Sequence, residues 1–150
     1  MMPVYEATQA VQIAGSPQAC FDVLTDYAHM PDWQSRVVES RVLSTDEDGF
    51  GAEVQYAIDV TLRTVRYRLA HTYDAPRFIG SRYLGGDFRE FAGDYEFDAA
   101  DGGTKVTFHL RIDPGLRVPG PVARMLNQAV MGRALQDLKR RVEAVSRGPQ

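Results

Sequence analysis

The strongest constraint on the fold is a run of strand-like segments between residues 36 and 113. Six stretches of alternating apolar and polar residues follow one another, separated by short turn sequences such as DEDG, DAP and ADGG. Connections this short join antiparallel neighbours, because parallel strands need a crossover of a dozen residues or more. The predicted strands cover residues 36–46, 50–60, 62–74, 77–86, 88–100 and 104–113. This region therefore predicts a meandering antiparallel sheet.

Before this run, the chain predicts one more strand and two short helical pieces. Residues 4–15 alternate in the manner of a strand and end at a glycine. Ser16 is a favourable N-cap and Pro17 falls at the first helical position, so a short helix should begin here. Residues 26–33 form a second short helical or irregular piece, with Pro31 inside it.

After the sheet region, a Pro/Gly-rich break at 114–121 precedes a long amphipathic helix. Its apolar stripe consists of Val122, Leu126, Ala129 and Val130, and it continues at three- and four-residue steps through Leu135, Leu138, Val142 and Val145. The stripe must be buried, and the sheet is the surface available to bury it. We therefore predict one α+β domain over residues 1–150, with a curled antiparallel sheet of about seven strands around a long C-terminal helix. A long helix against a curled sheet tends to leave a cavity between them.

Composition and motifs exclude several classes of protein. No apolar run approaches the roughly 20 residues of a membrane span, and no secretory signal is visible, so we expect a cytoplasmic protein without integral membrane association. The single Cys20 predicts a small buried hydrophobe. The three histidines have no metal-ligand spacing, and no phosphate-binding, dinucleotide or nucleophile motif occurs. We expect no metal and no cofactor.

Charge is distributed unevenly along the chain. The net charge is −3, yet residues 116–150 carry seven Arg or Lys against Asp137 and Glu143. Cations late in a helix complement its dipole and solvate its outer face, and an anionic partner is the alternative interpretation. Because the chain as a whole is acidic, we expect no DNA binding.

The order of these elements resembles the START-like or helix-grip superfamily, which includes the birch-pollen-allergen fold. The passage SPQACFDVLTDYAHMPDWQSRVVESRVL is similar to a "helix, D-Y-x-x-x-P-x-W/F, strand" passage of its polyketide cyclase/dehydrase and coenzyme Q-binding group. The six-strand run and the closing helix after VPGP extend the resemblance over residues 4–146. The resemblance implies that the segment with Met30, Pro31 and Trp33 lies near the mouth of the cavity. Trp33 then either packs under the short helix or turns part of its ring toward a ligand.

Strand alternation indicates which side chains could face the cavity. The predicted ligand-binding set is Trp33, Tyr56, Tyr67, His71, Tyr83, Phe91, Tyr95, Phe108, Leu126 and Val130. For each tyrosine and for His71, the alternative is a core side chain with a satisfied polar group. His71 is the best candidate for a general acid or base. The strand at 77–86 is ambiguous between a face with Arg82 and a face with Tyr83, and Arg82 is a candidate oxyanion partner only if it faces inward.

Three functions follow as hypotheses. The first is a binding or transport protein for a hydrophobic small molecule such as a lipid, a quinone or an aromatic polyketide-like compound. The second, implied by the resemblance, is a polyketide cyclase or aromatase that uses a cavity His, Tyr or Arg as acid or base. The third is an interaction protein of the ribosome-associated type, which would meet RNA through the basic final helix. An exposed strand edge or helix face could also support a homodimer.

Overall fold

One antiparallel sheet and a long helix make up most of the molecule. The computed structural model describes residues 4–60, 63–115 and 119–146, without the side chains of residues 123 and 125–132. In order, the elements are β1 (Tyr5–Ile13), α1 (Pro17–Thr25), a 3-10 helix (Tyr27–Asp32), β2 (Val37–Thr45), β3 (Gly51–Asp59), β4 (Thr64–Asp74), β5 (Phe78–Gly86), β6 (Glu90–Ala100), β7 (Gly103–Asp113) and α2 (Gly120–Ser146). The predicted α+β helix-grip architecture is confirmed.

The start of α1 follows the local sequence closely. Ser16 Oγ accepts a hydrogen bond from the Ala19 backbone N–H at 3.1 Å, and Pro17 occupies the first turn. These two features satisfy one of the free N–H groups of the first turn and preset the backbone for a helix. The 3-10 helix follows directly and carries Pro31 within it.

The strand order is β1-β7-β6-β5-β4-β3-β2, so the first strand returns to pair with the last. All adjacent strands are antiparallel, with β1 and β2 at the edges. The ladder between β5 and β6 is the exception to an otherwise extensive pairing. It consists of Phe78 opposite Glu96 and Ile79 opposite Tyr95, so the two strands separate toward their hairpin turn.

Most of the described part of the predicted apolar stripe of α2 packs into the core, whereas the side chains of Leu126, Ala129 and Val130 lie outside the described residues. Val122, Leu135, Leu138 and Val142 are buried, whereas Val145 near the end is 54% exposed. Two polar contacts fasten its second half to the end of β1. Lys139 Nζ donates to the Gln12 carbonyl at 2.7 Å, and a Glu143 carboxylate oxygen accepts from the Ala14 N–H at 2.9 Å.

The core is continuous between the sheet, α1 and the second half of α2. Phe21 of α1 is fully buried and meets the rings of Phe50, Tyr73 and Phe97 edge-on. Cys20 is buried beside them, and burial raises the pKa of its thiol. Among the described residues, no helix is both long and apolar enough to cross a bilayer.

Candidate functional site

A cavity of about 90 Å³ lies between the concave face of the sheet and α2. Strands β3 to β7 form its wall, Ala134 of α2 covers it, and Leu24, Tyr27 and Met30 close it from the side of the short helices. The volume is enough for several water molecules and is below the roughly 300 Å³ of a site for a drug-sized ligand. A molecule of two or more rings would therefore need its walls to move apart.

The wall is mostly apolar. Aliphatic side chains come from several strands, and two phenylalanine rings lie on β6 and β7; these residues are Ile58, Leu69, Ile79, Phe91 and Phe108. The strands place them there because residues of one strand face alternate sides and the inward set of each strand is apolar. Such a surface favours an apolar ligand, since each square ångström of buried apolar area contributes about 25 cal/mol.

One polar feature of the wall is a hydrogen-bonded pair formed by Tyr56 of β3 and His71 of β4. His71 Nδ1 lies 3.2 Å from the Gly80 carbonyl oxygen, so this nitrogen carries the proton and donates. In the neutral imidazole, Nε2 is then an acceptor, and the Tyr56 hydroxyl donates to it over 2.7 Å. Burial lowers the pKa of His71 to about 4, with the Gly80 contact opposing that shift. The pair is therefore neutral at pH 7, with a fixed tautomer.

A second set of hydroxyls closes the side of the cavity next to α1. The Tyr73 hydroxyl donates to the Gly51 carbonyl at 2.6 Å, and the Tyr27 hydroxyl donates to that of Tyr73, also at 2.6 Å. The Tyr27 ring stacks on the His71 ring with 5.4 Å between centroids. Burial raises the pKa of Tyr73 to about 12 and holds the pKa of Tyr27 well above its usual value, so both hydroxyls remain protonated. This chain holds the 3-10 helix on the sheet.

Two further hydroxyls lie on the wall of the cavity. Within the described part of the chain, the hydroxyls of Tyr67 and Tyr95 have no hydrogen-bond partner. Burial raises the pKa of both phenols, so both are donors at neutral pH. Tyr95 lies flat on the Phe108 ring, with 4.3 Å between centroids, which fixes the orientation of its phenol. These two groups are available to a ligand that carries oxygen or nitrogen acceptors.

A buried carboxylate fixes the segment between the 3-10 helix and β2. Asp137 of α2 is 1% exposed, and its Oδ2 accepts from the Ser35 N–H at 2.8 Å. Its Oδ1 lies 3.5 Å from the guanidinium of the exposed Arg140. Gln34, Ser35 and Val37, which are half-buried, line the cavity at this point. The helix thus holds the segment that separates the cavity from solvent.

The structure brings together six of the predicted ligand-binding residues. Lining the cavity are Tyr56, Tyr67, His71, Phe91, Tyr95 and Phe108. The side chains of Leu126 and Val130, also predicted, lie outside the described residues.

Three predicted residues lie elsewhere. Trp33 lines a surface groove between α1 and the end of α2, beside Val23 and Val145, because the chain turns outward after the 3-10 helix. This position agrees with packing against the short helix and not with a ring in the cavity. Arg82 pairs with Ala70 and is exposed, so it cannot reach the cavity as an oxyanion partner. Tyr83 lies on the inner side of β5, yet its hydroxyl is used by the backbone of Phe88.

The predicted site residues do not include several residues that shape the site. Tyr27, Ser35 and Ser81 line the cavity, and Asp137 holds Ser35. Strand alternation places Ser81 on the same face as Tyr83, and the helical period places Asp137 on the same face as Ala134, so the sequence carried a signal for both residues. The position of Tyr27 depends on the fold of an aperiodic connection. Across the described residues, no group of three His, Cys, Asp or Glu side chains is arranged to hold a metal ion.

Comparison with known proteins identifies the family. The family model described as polyketide cyclase/dehydrase and lipid transport matches residues 5–143. The chain belongs to this family. No curated protein sequence matches it.

Solved structures agree with the assignment to a START-like fold. A START superfamily protein from Mycobacterium smegmatis is similar with a TM-score of 0.81 and 20% identity, over 93% of this chain and 98% of that one. The Zhui aromatase/cyclase from Streptomyces sp. R1128 gives a TM-score of 0.78 and 15% identity, over 97% and 98% of the two chains. A protein from Thermus thermophilus gives 0.75 and 21%, over 96% and 99%. At these identities the likeness shows the fold alone.

Proposed function

We propose that the protein binds a hydrophobic small molecule in the cavity between its sheet and α2 and carries or presents it. The lipid, quinone or aromatic polyketide-like class fits best. The observation that carries the proposal is an apolar wall of aromatic and aliphatic side chains with two phenol donors, Tyr67 and Tyr95, that have no hydrogen-bond partner among the described residues. A largely apolar pocket with a few oriented polar groups is the usual form of a small-molecule site.

A filling substitution tests this proposal. Ala134 is buried on α2 and lines the cavity, so Ala134→Leu would place an isobutyl group in the space that the ligand needs. Ala144→Leu makes the same change at an exposed position of the same helix and is the matched control. Native mass spectrometry of the protein purified from its source organism would measure the bound ligand directly.

The expected result is an added mass of a few hundred daltons on the unmodified protein and on the Ala144→Leu variant, but not on Ala134→Leu. Circular dichroism of each variant would show that the fold is retained. Equal ligand retention by both variants would place the ligand outside the cavity and overturn the proposal. The proposal would also be contradicted if the purified protein carried no ligand and bound no N-phenyl-1-naphthylamine.

A second candidate function is catalysis of ketide cyclisation, and the Tyr56–His71 pair is the observation that favours it. Both side chains line the cavity, and their hydrogen bond of 2.7 Å could pass a proton between a substrate carbonyl and the imidazole. Cyclisation requires substrate folding and one acid or base, so a sparse set of groups suffices.

The protonation state of His71 argues against an efficient base. A general base works best with a pKa near the operating pH, and burial holds the pKa of His71 at about 4. At pH 7 the imidazole is neutral, so it cannot act as a cationic acid either. The pair is better suited to orient a ligand oxygen through the Tyr56 hydroxyl. If the enzyme hypothesis holds, His71→Ala should abolish turnover of a poly-β-ketone substrate; unchanged turnover would remove His71 from the mechanism.

A further inference from the structure

The separation of β5 from β6 produces a second recess, of about 590 Å³, next to the cavity. Ser81 and Phe91 line both spaces, so the recess and the cavity share a wall. The two backbone pairs of this ladder end at Ile79 and Tyr95, and no further pair joins the strands among the described residues. The sheet is therefore interrupted at the place where the cavity reaches it.

Side chains stabilise this interruption. Ser81 Oγ donates to the Gly93 carbonyl at 2.6 Å and accepts from the Gly93 N–H at 2.8 Å, which replaces a ladder pair. Asp94 Oδ1 accepts from the Ser81 N–H at 3.3 Å. Buried or half-buried backbone groups must be satisfied, and these contacts satisfy the Ser81 N–H and both backbone groups of Gly93 at the fork. The opening is thus part of the folded structure.

Positive charge surrounds the outer side of the recess. Arg82, Arg89 and Arg111 line it together with Glu90, and a Glu6 carboxylate oxygen lies 3.9 Å from Arg111 Nε. The Arg111 guanidinium donates to the Glu90 carboxylate at 2.6 Å, and that of Arg89 lies 3.8 Å from an Asp113 oxygen. Among the described residues, no acidic side chain forms an ion pair with Arg82. Guanidinium groups bind carboxylates, sulfonates and phosphates well because their planar N–H groups match two oxygens.

We infer that the recess between β5 and β6 binds the anionic group of an amphipathic ligand whose apolar part occupies the cavity. This inference rests on the proposed function and makes it more specific, since it selects hydrophobic acids over neutral hydrophobic molecules. The ligand passes between Ser81 and Phe91, and Arg82 contacts its carboxylate, sulfonate or phosphate. Ser81 and Phe91, which line both spaces, would contact the part of the ligand between its apolar body and its anionic group.

A matched pair of fluorescent probes tests the inference. N-phenyl-1-naphthylamine is neutral, and 1-anilinonaphthalene-8-sulfonate has the same ring system with an added sulfonate. Each probe would be titrated into the unmodified full chain and into Arg82→Gln, which keeps part of the side-chain stem and removes the charge. Arg41→Gln, an exposed arginine on β2, is the control for a change in net charge. Competition between the two probes shows whether they share a site.

The expected result is competition between the probes and a loss of affinity of about five- to tenfold for the sulfonate in Arg82→Gln, with the neutral probe unchanged. Arg41→Gln should bind both probes as the unmodified chain does. The difference in affinity between the sulfonate probe and the neutral probe should also decrease from 20 to 500 mM salt, because ions screen the partly exposed pair of arginine and sulfonate.

Two other outcomes are distinguishable. If both probes bind and the double variant Arg82→Gln/Arg89→Gln still retains full affinity for the sulfonate, the inference is overturned and the proposed cavity function stands. If neither probe binds, the proposed function fails together with the inference. A folded state confirmed by circular dichroism is required of every variant, and the neutral probe provides an independent check of the cavity.

Discussion

The two ends of the core differ in packing and in chemistry. At the end formed by α1, β1 and the second half of α2, Ile13, Phe21, Leu138 and Val142 have no exposed surface. At the end formed by β3, β4 and β5, rings and hydroxyls surround a cavity, and His71 and Tyr95 remain half-buried. One sheet supports both ends. The comparison teaches that the tightly packed end provides stability, while the other end leaves space and donors for a ligand.

The largest expected effect comes from replacing a phenylalanine by alanine at each of two positions on one strand, one at either end of the core. Phe97 of β6 is 1% exposed and packs against Phe21, whereas Phe91 of the same strand lines the cavity. Phe97→Ala should reduce the free energy of unfolding by about 3–5 kcal/mol, the usual cost of a buried phenylalanine. Phe91→Ala should cost at least about 1 kcal/mol less, because part of this ring faces the cavity and not other side chains.

Urea unfolding followed by circular dichroism measures both values, and the m-value shows whether the transition remains two-state. Phe91→Ala should also increase the affinity for N-phenyl-1-naphthylamine, since it enlarges the cavity. Equal destabilisation by the two variants would mean that the ends are equally packed, and the comparison would fail.

The pH dependence of stability should come from the cavity end. The pKa of His71 is about 4 in the folded protein and near 6.5 when unfolded, so between these values the unfolded chain binds the extra proton. Stability is therefore fully present above pH 6.5 and is lost as the pH falls toward 4. The expected loss is up to roughly 3 kcal/mol relative to His71→Gln over the same range.

Chemical denaturation of both proteins at intervals between pH 7.5 and 4 measures this difference, because other titrating groups contribute equally to each. His29→Gln is the control: Asp26 raises the pKa of this exposed histidine, so its effect has the opposite sign. Parallel pH profiles for the unmodified protein and His71→Gln would show that the imidazole is protonated at no cost, as in a water-filled site.

These residues also show how far sequence analysis reaches. Alternation along β4 placed Tyr67 and His71 on the inner face because a regular strand has a strict period of two. It did not predict that His71 would bond Tyr56, since that contact depends on the register, in which Tyr56 lies opposite Tyr67. Alternation left the direction of Arg82 ambiguous, because both faces of β5 mix apolar and polar residues. It did not place Trp33, because the connection before β2 has no regular hydrophobic repeat. The side of the sheet that a side chain faces follows from the sequence pattern, whereas its hydrogen-bond partners follow from the tertiary structure.

Replacing Gly15 by a larger residue tests how tightly the end formed by α1, β1 and α2 is packed. A Cβ atom at Gly15 would lie 2.8 Å from Val142 Cγ1 and 3.1 Å from Ser146 Oγ, so α2 approaches the chain here as closely as a hydrogen side chain allows. Gly15→Ala should cost about 1–3 kcal/mol, because the buried Val142 has no room to move. Gly120→Ala is the matched control, since a Cβ atom at that position would have no described atom within 4 Å and alanine favours the helix. Thermal unfolding separates the two, and an unchanged midpoint for Gly15→Ala would show that the end is looser than described.

The smallest expected effects lie at the border between the two ends, where Tyr27 and Tyr73 form their hydroxyl chain. Tyr73→Phe removes the donor to the Gly51 carbonyl and the acceptor for Tyr27, so it leaves two buried polar groups unpaired and should cost about 1–3 kcal/mol. Tyr27→Phe removes only the last donor of the chain and should cost about 0.5–1.5 kcal/mol. The double variant should cost less than the sum of the two, because both single changes break the same bond. Urea unfolding of the three variants measures this coupling, and strict additivity would show that the two hydroxyls act independently and that the border is not a connected unit.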